Sequence, residues 1–249
     1  MIFSRPRLFN SNDRRLSMMK NIGLLGGMSW ESTVIYYQEL NRGIRRRLGG
    51  LHSARCLMAS VDFAEIEKMQ EQGEWVKAGA HLAAHARDLE RGGADCVVLC
   101  TNTMHRVFDN LRDAVSIPVL HIADGTAQAL EKAGVSCVGL LGTRYTMEHE
   151  FYRSRLVNRG LTVVVPDERE RGIVHDVIYN ELCLGKVLDH SRVAYQEIVS
   201  SLAKRGAEAV ILGCTEIGLL LDTENSPLPV FDTTLLHVEA ALDWALGDD

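Results

Sequence analysis

The sequence repeats itself, and the repeat constrains the fold more than any single motif. Ile22-Gly23-Leu24-Leu25-Gly26-Gly27 returns as Val138-Gly139-Leu140-Leu141-Gly142-Thr143, 116 residues later. Gly93-Ala94-Asp95 and Val97-Val98-Leu99 return as Gly206-Ala207-Glu208 and Val210-Ile211-Leu212 at a separation of 113. Ile117-Pro118-Val119-Leu120-His121 returns as Leu228-Pro229-Val230-Phe231-Asp232 at 111. Three matched segments in one order imply an internal duplication of about 115 residues. Short apolar runs such as 96–99 and 209–212 suit strands buried on both faces of a parallel sheet.

The expected fold is therefore α/β: two similar lobes, each a parallel sheet flanked by helices, related by pseudo-two-fold symmetry, with the active site in the interlobe cleft. Residues 19–117 plus 223–249 are expected to form lobe 1 and 118–222 lobe 2, with 1–18 a disordered extension. Helices are expected from Ser29, a plausible N-cap, to about Arg47, and over 62–70, 74–91, 104–114, 148–159, 173–182, 192–205 and 233–246.

The gapless register of the repeat carries chemical information. It places Cys100 on Gly213, Thr101 on Cys214, Asn102 on Thr215 and Thr103 on Glu216. A slip of one residue sends a side chain to the other face of a sheet, so Thr101, not Cys100, is the counterpart of Cys214. Ligands in open α/β sheets bind at the carboxyl ends of the strands. Two equivalent strand ends facing one cleft can put an acid/base group on each side of a flat intermediate, which inversion of a stereocentre next to a carboxylate requires. Cys214 is expected to gain acidity from the helix that follows it. Thr101 lacks that advantage, because a hydroxyl is a far weaker acid than a thiol. Asn102, Thr103 and Thr215 offer donors at helix N-termini, where anions are favoured. Glu216 is either a partner for Cys214 or a first-turn carboxylate.

Composition narrows the classes. A net charge of −6 argues against a nucleic-acid partner, and Arg45-Arg46-Arg47 reads as the solvated end of a helix. No apolar run is long enough to cross a membrane. The six cysteines contain no C-x-x-C pair, which fits a reducing cytoplasm. Cys56, Cys96 and Cys137 read as small hydrophobes in or beside strands, and Cys100 as a structural thiol facing away from the cleft. Residues 1–18 carry Arg5, Arg7, Arg14 and Arg15 without the apolar run of a secretory signal. His81 and His85 have metal-pair spacing but no evident third ligand, and Gly23-x-x-Gly26-Gly27 lacks the full dinucleotide fingerprint. No metal or cofactor is expected.

On Gly23-Leu24-Leu25-Gly26-Gly27-Met28, Cys100-Thr101-Asn102-Thr103-Met104-His105 and Gly213-Cys214-Thr215-Glu216, the chain resembles the aspartate/glutamate racemase superfamily from Lys20 to its C-terminus. It looks closest to the bacterial branch described as aspartate or broad-specificity amino-acid racemases. The resemblance implies two α/β lobes, an interlobe site, thiol bases without pyridoxal phosphate, a small amino-acid substrate and a homodimer. By that analogy Cys214 takes the proton from the L-enantiomer, and Thr101 stands where two-thiol members carry the other cysteine. The resemblance therefore implies a lopsided racemase, with Met28, Ser29, Gln70, Asn102, Thr103, Thr215 and Glu216 as substrate contacts. Acidic-substrate members read the side-chain carboxylate with an arginine and a lysine that have no clear match over 62–70 and 179–185, which leaves room for a neutral side chain such as homoserine's. Hydantoin racemisation, maleate isomerisation, malonate decarboxylation and a catalytically impaired amino-acid binding protein are the alternatives.

Overall fold

A computed structural model describes residues 19–247; the expected extension at 1–18 lies outside the described residues. The first half contains β1 (Ile22–Gly26), α1 (Trp30–Leu48), β2 (Cys56–Ser60), α2 (Phe63–Glu71), α3 (Trp75–Arg91), β3 (Cys96–Leu99), α4 (Phe108–Arg112), β4 (Val119–Leu120) and α5 (Ile122–Lys132). The second contains β5 (Cys137–Gly142), α6 (Arg144–Glu148), α7 (Glu150–Val157), β6 (Thr162–Val164), α8 (Glu168–Asn180), α9 (Asp189–Lys204), β7 (Ala209–Gly213), β8 (Val230–Asp232) and α10 (Thr233–Leu246).

Both sheets are parallel and four-stranded, in the orders β2-β1-β3-β4 and β6-β5-β7-β8. The same topology occurs twice, and so does the register. Leu25 lies beside Leu99 in the first sheet, and their repeat partners Leu141 and Leu212 lie beside each other in the second. Counting two residues onward from Leu99 and Leu212 reaches Thr101 and Cys214. The strand pairing itself therefore sets these two residues at equivalent ends.

Each sheet is covered on both faces. In the first lobe α1 and α10 enclose Leu24, Val98 and Cys100, while α3 and α4 enclose Leu25, Val97 and Leu99. In the second lobe α8 and α9 cover Leu141, Val210 and Leu212, while α5 and α7 cover Val138, Leu140 and Ile211. The helices following β4 and β8 thus cross over: α5 packs on the second lobe and α10 on the first. The two meet at Gly125, where an added Cβ would sit 3.1 Å from the Leu236 carbonyl oxygen. Strands β4 and β8 fall just beyond the expected boundaries at 117/118 and 222/223, each still paired with the sheet before it.

Several elements differ from expectation for local reasons. Helix α5 lies where no element is expected, although Ile122, Ala123, Thr126, Ala127 and Leu130 are buried at helical spacing. Helix α8 starts at Glu168 because Asp167 and Glu170 form a capping box. The expected helix over 148–159 is divided at His149. The arginine triplet is not simply solvated. Arg46 and Arg47 bind Glu239 at 3.0 and 2.7 Å, and Arg47 also binds Asp243 at 2.6 Å, fastening α1 to α10. Among the described residues, no helix is long and apolar enough to cross a membrane.

Candidate active site

The strand ends open into a cavity between the lobes, with about 410 Å³ of empty space including its mouth. Every candidate from the sequence lies on its wall: Cys214 and Thr101, Met28 and Ser29, Gln70, Asn102 and Thr103, Thr215 and Glu216. Gly27 places Met28 and Ser29. Its φ of +91° and a Cβ position 2.2 Å from the Val61 carbonyl oxygen leave room for glycine alone. Ser29 then N-caps α1 through a 3.3 Å bond from the Ser32 N–H.

Glu216 is the centre of the hydrogen-bond network. It is 4% exposed and accepts from four side chains of both lobes. Ser29 and Ser32 of α1 donate to Oε1 at 2.7 and 2.9 Å. Cys214 Sγ and Thr215 Oγ1 donate to Oε2 at 2.9 and 2.6 Å. Ser32 and Thr215 are also in close contact with each other. Four donors match the four acceptor positions of an ionised carboxylate, so the arrangement suits a negative Glu216 facing a protonated thiol. Of the two sequence readings of Glu216, the partner of Cys214 is the one realised.

The same contact overturns the expectation that Cys214 would be acidified. Thr215–Leu219 is a five-residue 3-10 turn and not a long helix. Its path brings Glu216 back onto the thiol. Burial and, next, the Glu216 charge push the Cys214 thiol well above its ordinary range. On the opposite side the expected helix over 104–114 opens as a 3-10 turn, Thr103–Val107, and becomes α-helical only at α4, Phe108–Arg112. Cys100 does face away from the cleft: it is fully buried against α1 and α10, its Sγ 3.6 Å from the Val98 carbonyl oxygen.

Asn102 is fixed across the lobes. Its Nδ2 donates to Thr233 Oγ1 at 3.0 Å, and that hydroxyl donates to the Leu212 carbonyl at 2.8 Å. Asn102 Oδ1 is left buried without a hydrogen-bond partner, an acceptor free for a cationic donor. Thr103 Oγ1 lies 3.1 Å from Thr143 Oγ1, which joins the lobes a second time.

Sequence reasoning missed Phe63, Thr143, Ile178, Tyr179 and Cys183 on the cavity wall. Thr143 was within reach, since the repeat aligns it with Gly27. The others project from helices whose cleft-facing side no periodicity reveals. Tyr179 donates to Gln70 Oε1 at 3.5 Å, and Gln70 Nε2 lies 3.0 Å from Met104 Sδ. Among the described residues, neither lysine nor arginine lines the cavity. An adjoining cavity shares Gln70 and Tyr179 and carries Glu67, Glu71 and Asp176. His175 there is held toward its neutral form by burial.

Two duplicated parallel-sheet lobes with chemistry-bearing side chains at both strand ends define a two-lobed α/β protein whose site spans a pseudo-symmetry axis. The chain belongs to the Asp/Glu/hydantoin racemase family, which matches residues 25–241. It is 48% identical to a candidate Asp/Glu racemase of Yersinia pestis, with a TM-score of 0.86 over 92% of this chain and 100% of that one. It is 33% identical to an aspartate racemase homologue of Pyrococcus horikoshii, with a TM-score of 0.80 over 91% and 99% of the two chains. It is 25% identical over 232 residues to the broad specificity amino-acid racemase RacX of Bacillus subtilis, covering 91% of this chain and 98% of that protein.

Proposed function

We propose that the protein is an amino-acid racemase, working without pyridoxal phosphate, in which Cys214 removes the Cα proton of the L-enantiomer. The observation that carries this reading is the Cys214–Glu216 pair at 2.9 Å, opposite Thr101 across the cavity. The thiol proton moves to Glu216 Oε2 as sulfur accepts the Cα proton, so no bare thiolate waits beside a carboxylate in the resting site. The Cα electron pair delocalises into the substrate carboxylate; the Thr101 hydroxyl gives its proton to the opposite face and takes one back from solvent water, and Glu216 releases the thiol's proton to solvent. Asn102 Oδ1 is suited to accept from the substrate ammonium. Because Thr101 is a weak acid and base, exchange from L-substrates outpaces exchange from D-substrates.

A second carboxylate on the substrate would meet no cation on the wall and three acidic side chains next door. That favours a neutral side chain over aspartate's or glutamate's. The same reading carries a homodimer, by family analogy, and a reducing cytoplasm, supported by six unbridged cysteines. The test is to incubate L-aspartate, L-glutamate and L-homoserine separately and resolve the enantiomers by chiral chromatography. D-homoserine is expected to accumulate fastest. Binding of these amino acids without any D-product would overturn the racemase reading in favour of a binding protein.

A further inference from the structure

Behind Thr101 lies a cluster of three buried imidazoles: His105, His121 and His237 are 2%, 6% and 0% exposed. The His105 ring lies 4.5 Å from that of His121 and 5.8 Å from that of His237, centroid to centroid. None of the three lines the cavity between the lobes. His121 has a local task, accepting from the Ala123 N–H as the N-cap of α5. His237 accepts from the Tyr36 hydroxyl at Nδ1 and donates from Nε2 to the Leu120 carbonyl, tying α10 to α1 and β4. His105 does something different.

The Ile122 N–H donates to His105 Nε2 at 3.2 Å, so that nitrogen carries no proton. The ring proton therefore sits on Nδ1 and donates to the Thr101 carbonyl at 2.7 Å. Burial and the neighbouring His237 lower His105 to about 3, which keeps this neutral form throughout the working range. Ile122 opens α5, whose apolar face packs in the second lobe, whereas Thr101 ends a strand of the first. A single imidazole thus clamps the Thr101 peptide to a helix of the opposite lobe.

We infer that His105 is a positioning residue for the Thr101 side of the reaction, holding the Thr101 backbone so that its side chain faces the substrate across from Cys214. This rests on the racemase reading above. The clamp touches only one of the two strand ends, so its loss separates the two half-reactions. Proton removal by Cys214 continues, while delivery to the opposite face fails and the proton returns to the side it left.

The test follows both half-reactions on one L-substrate in deuterated water: loss of the Cα protium signal by NMR, and D-enantiomer by chiral chromatography. In His105→Leu the ratio of D-product to exchange is expected to fall about tenfold, the worth of one well-placed hydrogen bond. His105→Asn can place an amide N–H where Nδ1 was, and is expected to restore most of that ratio. His105→Gln reaches toward the Ile122 N–H instead, and is expected to restore little; the Asn/Gln pair carries the test if the leucine variant does not fold. An unchanged ratio in folded variants, or equal recovery by Asn and Gln, overturns the inference while the racemase reading stands. A wild-type protein that exchanges no amino acid overturns both.

Discussion

Replacing Cys214 by serine is expected to lower Cα exchange from L-substrates by about 10²–10⁴-fold, the usual worth of a positioned acid/base group. The serine hydroxyl can still donate to Glu216, so the network around the carboxylate and the fold should survive. What disappears is a group acidic enough to pass its proton to a carboxylate and take another from carbon. Substrate binding, followed by calorimetry, should change little. Retained exchange in Cys214→Ser would remove the sulfur from the mechanism. Loss of binding together with exchange would make Cys214 a structural residue.

Glu216→Gln is the second large effect. The amide offers one acceptor oxygen where the carboxylate served Ser29, Ser32, Cys214 and Thr215 with two, and its NH₂ points a donor at donors. Exchange near neutral pH is expected to fall about 100-fold or more because the thiol proton has nowhere to go. Stability should drop by about 1–3 kcal/mol from the unpaired buried donors, read by denaturant unfolding. The pH dependence separates this account from simple damage. In the wild type the thiol, held above its ordinary range by burial and then by the Glu216 charge, reacts protonated and passes its proton to Glu216, so exchange does not wait for thiol ionisation. In Glu216→Gln the thiol must ionise before it can take the Cα proton, so the residual exchange rises with pH where the wild type's does not. The same pH profile in both proteins would mean that Glu216 does not take the Cys214 proton.

Most of the architecture was legible because a duplication is a long-range signal. Three matched segments specify two parallel sheets, and their gapless alignment sets Thr101 against Cys214, the pairing that the sheet register reproduces. Local signals decided the rest less evenly. Helix α5 is not expected although its buried residues have helical spacing, because the matched segments end at His121 and the matching helix α10 lies at the far end of the chain. The polarity of the Cys214 environment is open on sequence between two readings of Glu216. Whether the residues after a strand continue as a helix or close as a 3-10 turn decides whether the thiol meets a helix dipole or the Glu216 carboxylate. The tertiary path chooses the carboxylate. Ile178 and Tyr179 reach the cavity for a similar reason: the packing of α8 on its sheet, not its sequence period, turns that face to the cleft, and Cys183 follows on the 3-10 turn Leu182–Leu184. His105 reads on sequence as an ordinary helix-face residue. Its two hydrogen bonds join Thr101 to Ile122, which the pairing of β4 beside β3 brings within reach.

The two strand ends differ in chemistry, and Cα proton exchange in deuterated water measures that asymmetry, with each enantiomer of homoserine, aspartate and glutamate supplied separately. Exchange from an L-enantiomer is expected to run about 100-fold faster than from its D-partner, since the Cys214 side carries a positioned acid/base pair and the Thr101 side a hydroxyl. Equal rates from the two enantiomers would contradict it.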